Sequence, residues 1–254
     1  MCLLVFAWHA HPELPLIFAG NRDEAHARRS AAAGFWQDAP QVLAGRDLEA
    51  GGTWLGVTTR GRFAVVTNYR DGPQPMRGPR SRGELVADFL RSAHSPEAYI
   101  REVGTRAARY AGFSLLAGDR DALWYVSNRG AAAQAIPPGV HGLSNHLLDT
   151  PWPKLLRSTE RLELLLDANQ LTEEALFRLL ADRRPAHDAE LPDTGIGTER
   201  ERALSAPFVV NPEYGTRCST LIRLGADSLR FSERRFSPAG ERTETRRFML
   251  EEAL

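Results

Sequence analysis

A four-layer α+β sandwich, with helices outside two stacked sheets in the order αββα, is the fold class this sequence predicts. Three observations point to it. The chain opens with strand-like runs that are continuously apolar rather than alternating, as expected of strands covered on both faces. The hydrophobic period then switches along the chain from strand-like to helical, back to strand-like, to helical again and finally to strand-like. No linker rich in Gly, Ser or Pro, no repeat and no low-complexity tract interrupts the 254 residues, so one domain over 1–254 is expected. Two sheets, each needing a cover for its outer face, are satisfied by two helical layers.

The elements follow in order. Residues 2–8 and 15–20 are two apolar runs joined by His9-Ala10-His11-Pro12-Glu13, which reads as a hairpin. Further strands are expected at 41–44, 53–58 and 63–67, punctuated by Gly45, Gly51-Gly52 and Gly61. The glycine pair reads as a tight turn and not as a phosphate cradle, because no helix start follows it. Leu85, Val86, Phe89 and Leu90 then fall at helical spacing, and Ser95-Pro96-Glu97 starts a second helix with proline at its first position. Strands at 112–117, 122–127 and 140–144 lead to two amphipathic helices, 152–166 and 172–181, the second with Thr172 as its cap. The charged, proline-broken stretch 182–203 reads as a loop, and strands at 217–224, 228–232 and 245–250 close the chain. Trp54, Trp124 and Trp152 are expected in the core.

Composition narrows the function classes. Formal net charge is zero, so nothing in the balance points to nucleic acid or to an anionic membrane surface. Two cysteines, Cys2 and Cys218, without Cys-x-x-Cys or helical His-x-x-x-His spacing make no metal cluster, and a reduced cytoplasmic setting is expected. The apolar run at 3–8 is too short to span a bilayer and has no basic leader, so neither a signal peptide nor a transmembrane helix is expected. Lys154 is the sole lysine, which leaves little room for a lysine nucleophile.

Cys2 directly follows Met1. Loss of Met1 would give one residue both a thiol nucleophile and a free α-amine, whose reference pKa of roughly 7.7 to 8 suits a general base at working pH. Asp23, at the end of the neighbouring apolar run, is placed to hold the resulting ammonium. A small buried apolar cysteine is the alternative.

Seven segments carry a resemblance: Asn21-Arg22-Asp23-Glu24, Gly51-Gly52-Thr53-Trp54-Leu55-Gly56, Thr67-Asn68-Tyr69-Arg70, Ser81-Arg82-Gly83-Glu84, Leu143-Ser144-Asn145, Pro151-Trp152-Pro153-Lys154 and Tyr214-Gly215-Thr216-Arg217. Together they resemble the NRDE-motif family, also called the transport and Golgi organisation protein two family, over essentially the whole chain. That resemblance implies a fold of the N-terminal-nucleophile hydrolase type, similar to the cysteine amidases that cleave bile-salt conjugates and penicillin V. By it, Cys2 is the expected nucleophile, Asp23 the acidic partner, and Asn68 and Asn145 the donors to an oxyanion. Either asparagine also suits an ordinary turn. In the cysteine amidases an arginine stands two residues before the asparagine-like position of the turn, whereas here Gly20 and Asn21 come first and the arginine is Arg22. Arg22 is thus expected either to hold a ligand carboxylate or phosphate or to pair with a buried acid, among ligand-contacting candidates Asn21, Arg22, Glu24, Arg70 and Arg217. Arg217 otherwise reads as a sheet-edge charge. Arg70, Arg77, Arg80 and Arg82 form either a lid attracting an anionic ligand such as a CoA phosphate, or a solvated loop. His9 and His11 read as solvated turn residues.

Two functions follow from the resemblance. One is an amide- or thioester-cleaving cysteine hydrolase that needs no cofactor. The other is a non-catalytic protein that carries haem, acyl-CoA or another lipid, as the family's links to haem trafficking and acyl-CoA handling imply.

Overall fold

A computed structural model describes residues 2–72 and 78–251. Met1 and Arg77 lie outside these, and so do the expectations that fall on them. Thirteen strands and five α-helices appear among the described residues. The first sheet has six strands. Its centre is β1 (Cys2–Trp8), β2 (Leu16–Ala25) and β11 (Tyr214–Leu224), flanked by β10 (Gly139–Leu143) on one side and by β12 (Ser228–Phe236) and β13 (Arg242–Glu251) on the other. The second sheet runs in chain order through β3 (Ser30–Trp36), β4 (Ala39–Asp47), β5 (Leu55–Thr58), β6 (Phe63–Asn68), β7 (Phe113–Gly118), β8 (Leu123–Ser127) and β9 (Ala131–Ala135). Every strand pairing is antiparallel.

Helices α1 (Gly83–Arg91) and α2 (Pro96–Arg106) cover the seven-stranded sheet, and α3 (Pro153–Asp167) and α4 (Glu173–Leu180) cover the six-stranded one. The order of layers is therefore αββα, as the periodicity predicts. All seven residues of β1 are buried. Leu4, Phe6 and Trp8 enter the core between the sheets while Leu3, Val5 and Ala7 pack under α3 and α4, because successive side chains of a strand point to opposite faces. The Thr172 hydroxyl accepts from the Ala175 amide at 3.2 Å, the expected cap of α4.

Four features depart from the sequence reading. Strand β2 continues through Asn21-Arg22-Asp23-Glu24 to Ala25, with Asn21 and Arg22 paired to both β1 and β11 and Asp23 and Glu24 paired to β11. These four consecutive polar residues carry no apolar alternation, so the apolar strand signal stops at Gly20 while the pairing runs on. Strands β3 and β9, rich in alanine, have no apolar signal of their own. The stretch 182–203 contains the short helix α5 (Thr198–Ala203). The last three strands are longer than expected, because β12 and β13 pair past their apolar centres into arginine-rich ends.

Gly51-Gly52 is a turn, with Gly51 at φ 76°. A Cβ on Gly52 would lie 2.5 Å from the Gly83 carbonyl, so this glycine lets the β4–β5 connection touch the start of α1.

Candidate functional site

The register of the six-stranded sheet sorts the NRDE segment into two faces. Cys2 on β1 stands opposite Arg22 on β2, and Arg22 stands opposite Cys218 on β11. These three side chains form one row on the face turned to the other sheet, since directly paired residues share a face. Asn21 and Asp23 therefore project to the helical side. Two strand spacings separate Cys2 from Cys218, roughly 9 to 10 Å, too far for a disulfide, and both thiols are free and buried.

Cys2 is tied at both ends of its backbone. Its N–H donates to Asn145 Oδ1 at 3.3 Å, and its carbonyl accepts from the Ser144 hydroxyl at 2.8 Å. The Asn145 Nδ2 donates to the Asn68 carbonyl at 2.9 Å, which fixes the orientation of the carboxamide. It is thus the oxygen of Asn145 that faces Cys2, not the NH2 of an oxyanion donor. Burial pushes the Cys2 thiol above the ordinary range, and the Asp23 charge adds to this while Arg22 opposes it. Burial likewise pushes the Cys218 thiol well up, helped by Glu233.

Arg22 is 6% exposed. Its guanidinium lies 4.1 Å from the Trp54 ring centre, an arrangement that gives Trp54 a role beyond core filling. Glu24 is its acidic neighbour at 3.7 Å, and its Nη1 is buried with no hydrogen-bond partner among the described residues. Cys2, Arg22, Glu24, Asn68 and Arg82 line a cleft of about 790 Å³. A second cleft of about 780 Å³ shares Glu24 and Asn68 with it and continues past Arg70, Leu204 and Tyr214.

Three expected ligand-contacting residues are committed to the protein itself. Asn21 Nδ2 donates to the carbonyls of Leu180 and Pro207 at 2.8 and 2.9 Å, and its Oδ1 accepts from Ser219, so it pins α4 to the sheet. Arg70 forms a buried ion pair with Glu201 of α5, against the Trp152 ring. Arg217 Nη1 donates to the carbonyls of Ala25, His26 and Arg28, closing the turn after β2. Strand β11 is internal to its sheet, so Arg217 is not a sheet-edge charge.

Asp23 is 1% exposed and accepts from the Thr216 hydroxyl at 2.7 Å, while its carbonyl accepts from Tyr214. Burial raises its pKa, against the pull of the N-terminal amine first and then of Lys154, Thr216 and Arg22. Lys154, in the first turn of α3, is 2% exposed and donates to the Leu204 carbonyl at 3.1 Å. Burial lowers it to about 8, and Asp23 is the strongest charge acting the other way. The sequence reading gave Lys154 no role. A lone lysine at the positive end of a helix dipole, where a cation is disfavoured, was the signal for one.

Residues 1–238 match the profile of the family described as Transport and Golgi organisation 2. The chain belongs to that family. The transport and Golgi organization protein 2 homolog of Bos taurus is 38% identical to it over 99% of this chain and 100% of its own, and that of Homo sapiens is 37% identical over 92% of each. Among solved structures, the C2A mutant of the conjugated bile acid hydrolase from Clostridium perfringens superposes with a TM-score of 0.51 at 8% identity, covering 97% of this chain and 92% of that one. At that identity the likeness is one of fold, and the fold is N-terminal-nucleophile-hydrolase-like. No helix among the described residues is long and apolar enough to cross a membrane.

Proposed function

We propose that this member of the Transport and Golgi organisation 2 family is a cysteine hydrolase of the N-terminal-nucleophile type, acting on an amide or acyl (thioester) carbonyl once Met1 is removed. The observation that carries this reading is the hydrogen bond from the Cys2 nitrogen to Asn145 Oδ1 at 3.3 Å, beside a cleft that Cys2 lines. In the processed chain that nitrogen is the α-amine, held next to its own thiol.

The chemistry then runs through named atoms. The amine takes the proton of the Cys2 thiol as Sγ forms a bond to the substrate carbonyl carbon, and the carbonyl oxygen becomes an oxyanion. Asn68, which lines the cleft, is the proposed donor to it, an interaction worth on the order of a hundredfold or more in rate. Collapse breaks the C–N or C–S bond, and the ammonium returns its proton to the leaving amine or thiol. Water then attacks the acyl-cysteine and restores the thiol. Asn145 holds the amine, and Asp23 acts on it electrostatically from the helical side of the sheet.

A second reading, a non-catalytic carrier of haem or an acyl-CoA, is favoured by one observation. Cys2 is only 8% exposed, and burial disfavours its thiolate. The deciding experiment measures the intact mass of untagged protein and screens amide and thioester probes against wild type, Cys2→Ala and Cys2→Ser. Turnover that requires both Met1 loss and Cys2 supports the hydrolase. Turnover surviving Cys2→Ala removes it, and saturable binding of haemin or acyl-CoA without turnover favours the carrier.

A further inference from the structure

A second constellation lies on the wall of the cleft that passes Arg70 and Leu204. Tyr69 follows directly on β6, and His146 stands in the connection from β10 to α3. The Arg70 N–H donates to the Asn145 carbonyl at 2.8 Å, which ties these two segments side by side. The Tyr69 and His146 rings lie 4.6 Å apart between centres, and the Tyr69 hydroxyl meets His146 Nε2 at 2.6 Å. On the other side of the imidazole, Nδ1 lies 2.9 Å from Thr150 Oγ1. The Thr150 hydroxyl donates its only proton to the Leu147 carbonyl at 2.8 Å, so toward Nδ1 it can only accept. A neutral His146 therefore carries its proton on Nδ1 and leaves Nε2 bare, and the Tyr69 hydroxyl donates to that nitrogen. Burial lowers the imidazole from its ordinary pKa, which favours this neutral form. Tyr69 lines the cleft of about 780 Å³ together with Asn68 and Asn145, and both it and His146 are only half-buried.

A weak nucleophile is activated by a base within hydrogen-bond reach, itself oriented by a third group. Here the three are Tyr69, His146 and Thr150. We propose that Tyr69 is a second nucleophilic site of the cleft, independent of Cys2, which takes the acyl group of an activated ester. The Tyr69 oxygen forms a bond to the carbonyl carbon as its proton passes to His146 Nε2. The bond from that carbon to the leaving oxygen breaks, the leaving group departs as an anion, and the acyl group stays on Tyr69 as an aryl ester. His146 then gives its extra proton to water. Thr150 is a positioning residue, since it fixes which imidazole nitrogen is bare. Besides His146, the titratable and charged groups acting on Tyr69 are Asp71, Tyr125 and Arg129, of which Asp71 and Arg129 are paired with each other.

The test treats the full-length Cys2→Ala protein, which has lost the competing thiol, with 4-nitrophenyl acetate. A burst of nitrophenolate is expected, with an acetyl group mapped to Tyr69 by mass spectrometry, and Tyr69→Phe in the same background is expected to lose both. His146→Gln offers the Tyr69 hydroxyl an acceptor but no base, so acetylation of Tyr69 is expected to slow on the order of a hundredfold. The rate is also expected to fall on the acid side, below pH 6.5, as His146 takes up a proton. His146→Gln is expected to lack that limb, which a purely structural contact would not produce. No acetyl group on Tyr69, or a folded His146→Gln protein with the same rate and the same limb, overturns the proposal. Should His146→Gln fail to fold, histidine labelled with nitrogen-15 gives a second measurement. The imidazole whose Nε2 resonance moves in Tyr69→Phe is expected to be the tautomer with Nε2 bare and Nδ1 protonated. An Nε2–H tautomer, or no resonance that moves, overturns the proposal. Because Cys2 is absent throughout, the outcome is separate from that of the hydrolase reading, which fails when Cys2-dependent turnover is not found.

Discussion

The backbone nitrogen of Cys2 and the side-chain oxygen of Asn145, 143 positions apart, meet in a buried hydrogen bond of 3.3 Å. The same carboxamide reaches the Asn68 carbonyl with its other end, so one residue joins the first strand of one sheet to a strand end of the other. Asn145→Ala leaves the Asn68 carbonyl without this donor and the Cys2 nitrogen without its acceptor. The expected loss of stability is about 1 to 3 kcal/mol, measured by urea denaturation. Alkylation of Cys2 in the processed protein is expected to lose its dependence on the amine, while Ser144→Ala, which keeps Asn145, retains it.

Thiol labelling separates the two cysteines. Cys218 is buried beside Glu233 and its thiol is pushed well up, so its thiolate is scarce at neutral pH. One label per native chain is expected with excess iodoacetamide at pH 8, mapping to Cys2. Cys218→Ser should leave that stoichiometry unchanged, and two labels on native protein would contradict the assignment.

The guanidinium of Arg22 lies in the cleft wall with Nη1 buried and without a hydrogen-bond partner among the described residues. Its charge should favour an anionic reagent over a neutral one of the same shape. The ratio of iodoacetate to iodoacetamide rates at Cys2 is expected to fall about tenfold in Arg22→Met, the equivalent of roughly 1.4 kcal/mol. An unchanged ratio would mean that Arg22 serves only the Trp54 contact and its Glu24 neighbour.

For the Arg70–Glu201 pair, removal of one partner is the informative change. Glu201→Gln removes the carboxylate paired with a buried arginine, and a loss of about 3 to 5 kcal/mol is expected in chemical denaturation. The double variant Arg70→Met, Glu201→Met should recover much of it, because two apolar side chains leave no buried charge behind. Equal losses in the single and double variants would show that the pair is not coupled.

Lys154 also sets a pH dependence of stability. Its pKa is about 8 in the folded protein against 10.5 for an ordinary lysine. Between those values the unfolded chain binds more protons than the folded one, so stability rises with pH across that window. Below about pH 8 the lysine is charged in both states and the cost of burying it is fully present. The stability of wild type relative to Lys154→Met is therefore expected to increase from pH 8 to pH 10.5, by on the order of 2 to 3 kcal/mol. Paired urea titrations over that range check the slope, and a flat difference would place the lysine titration outside the window.

Much of the architecture was legible in residue order. The apolar runs of β1 and β6, the helical spacing of Leu85, Val86, Phe89 and Leu90, and the Thr172 cap each declare a local structure through side-chain period or a specific hydrogen bond. Strands such as β3 and β9 were not legible, since alanine-rich segments become strands only when a neighbour pairs with them. The NRDE segment marked a candidate site but not its sides. Strand pleating puts Arg22 on the Cys2 side of β2 and Asp23 on the helical side, and the register with β1 and β11 fixes which is which.

By itself, then, the sequence determined the layers and the family and singled out Cys2 as a candidate, because periodicity and motif are properties of neighbours along the chain. Only the tertiary structure decided that Asn145 presents its oxygen to Cys2, that Asn21, Arg70 and Arg217 are committed to internal contacts, and that the single lysine lies buried near Asp23. Those outcomes depend on which groups meet across more than a hundred positions and on how far water is excluded where they meet. Burial and partner together set hydrogen-bond direction and charge state, and neither is a property of a residue's neighbours in sequence.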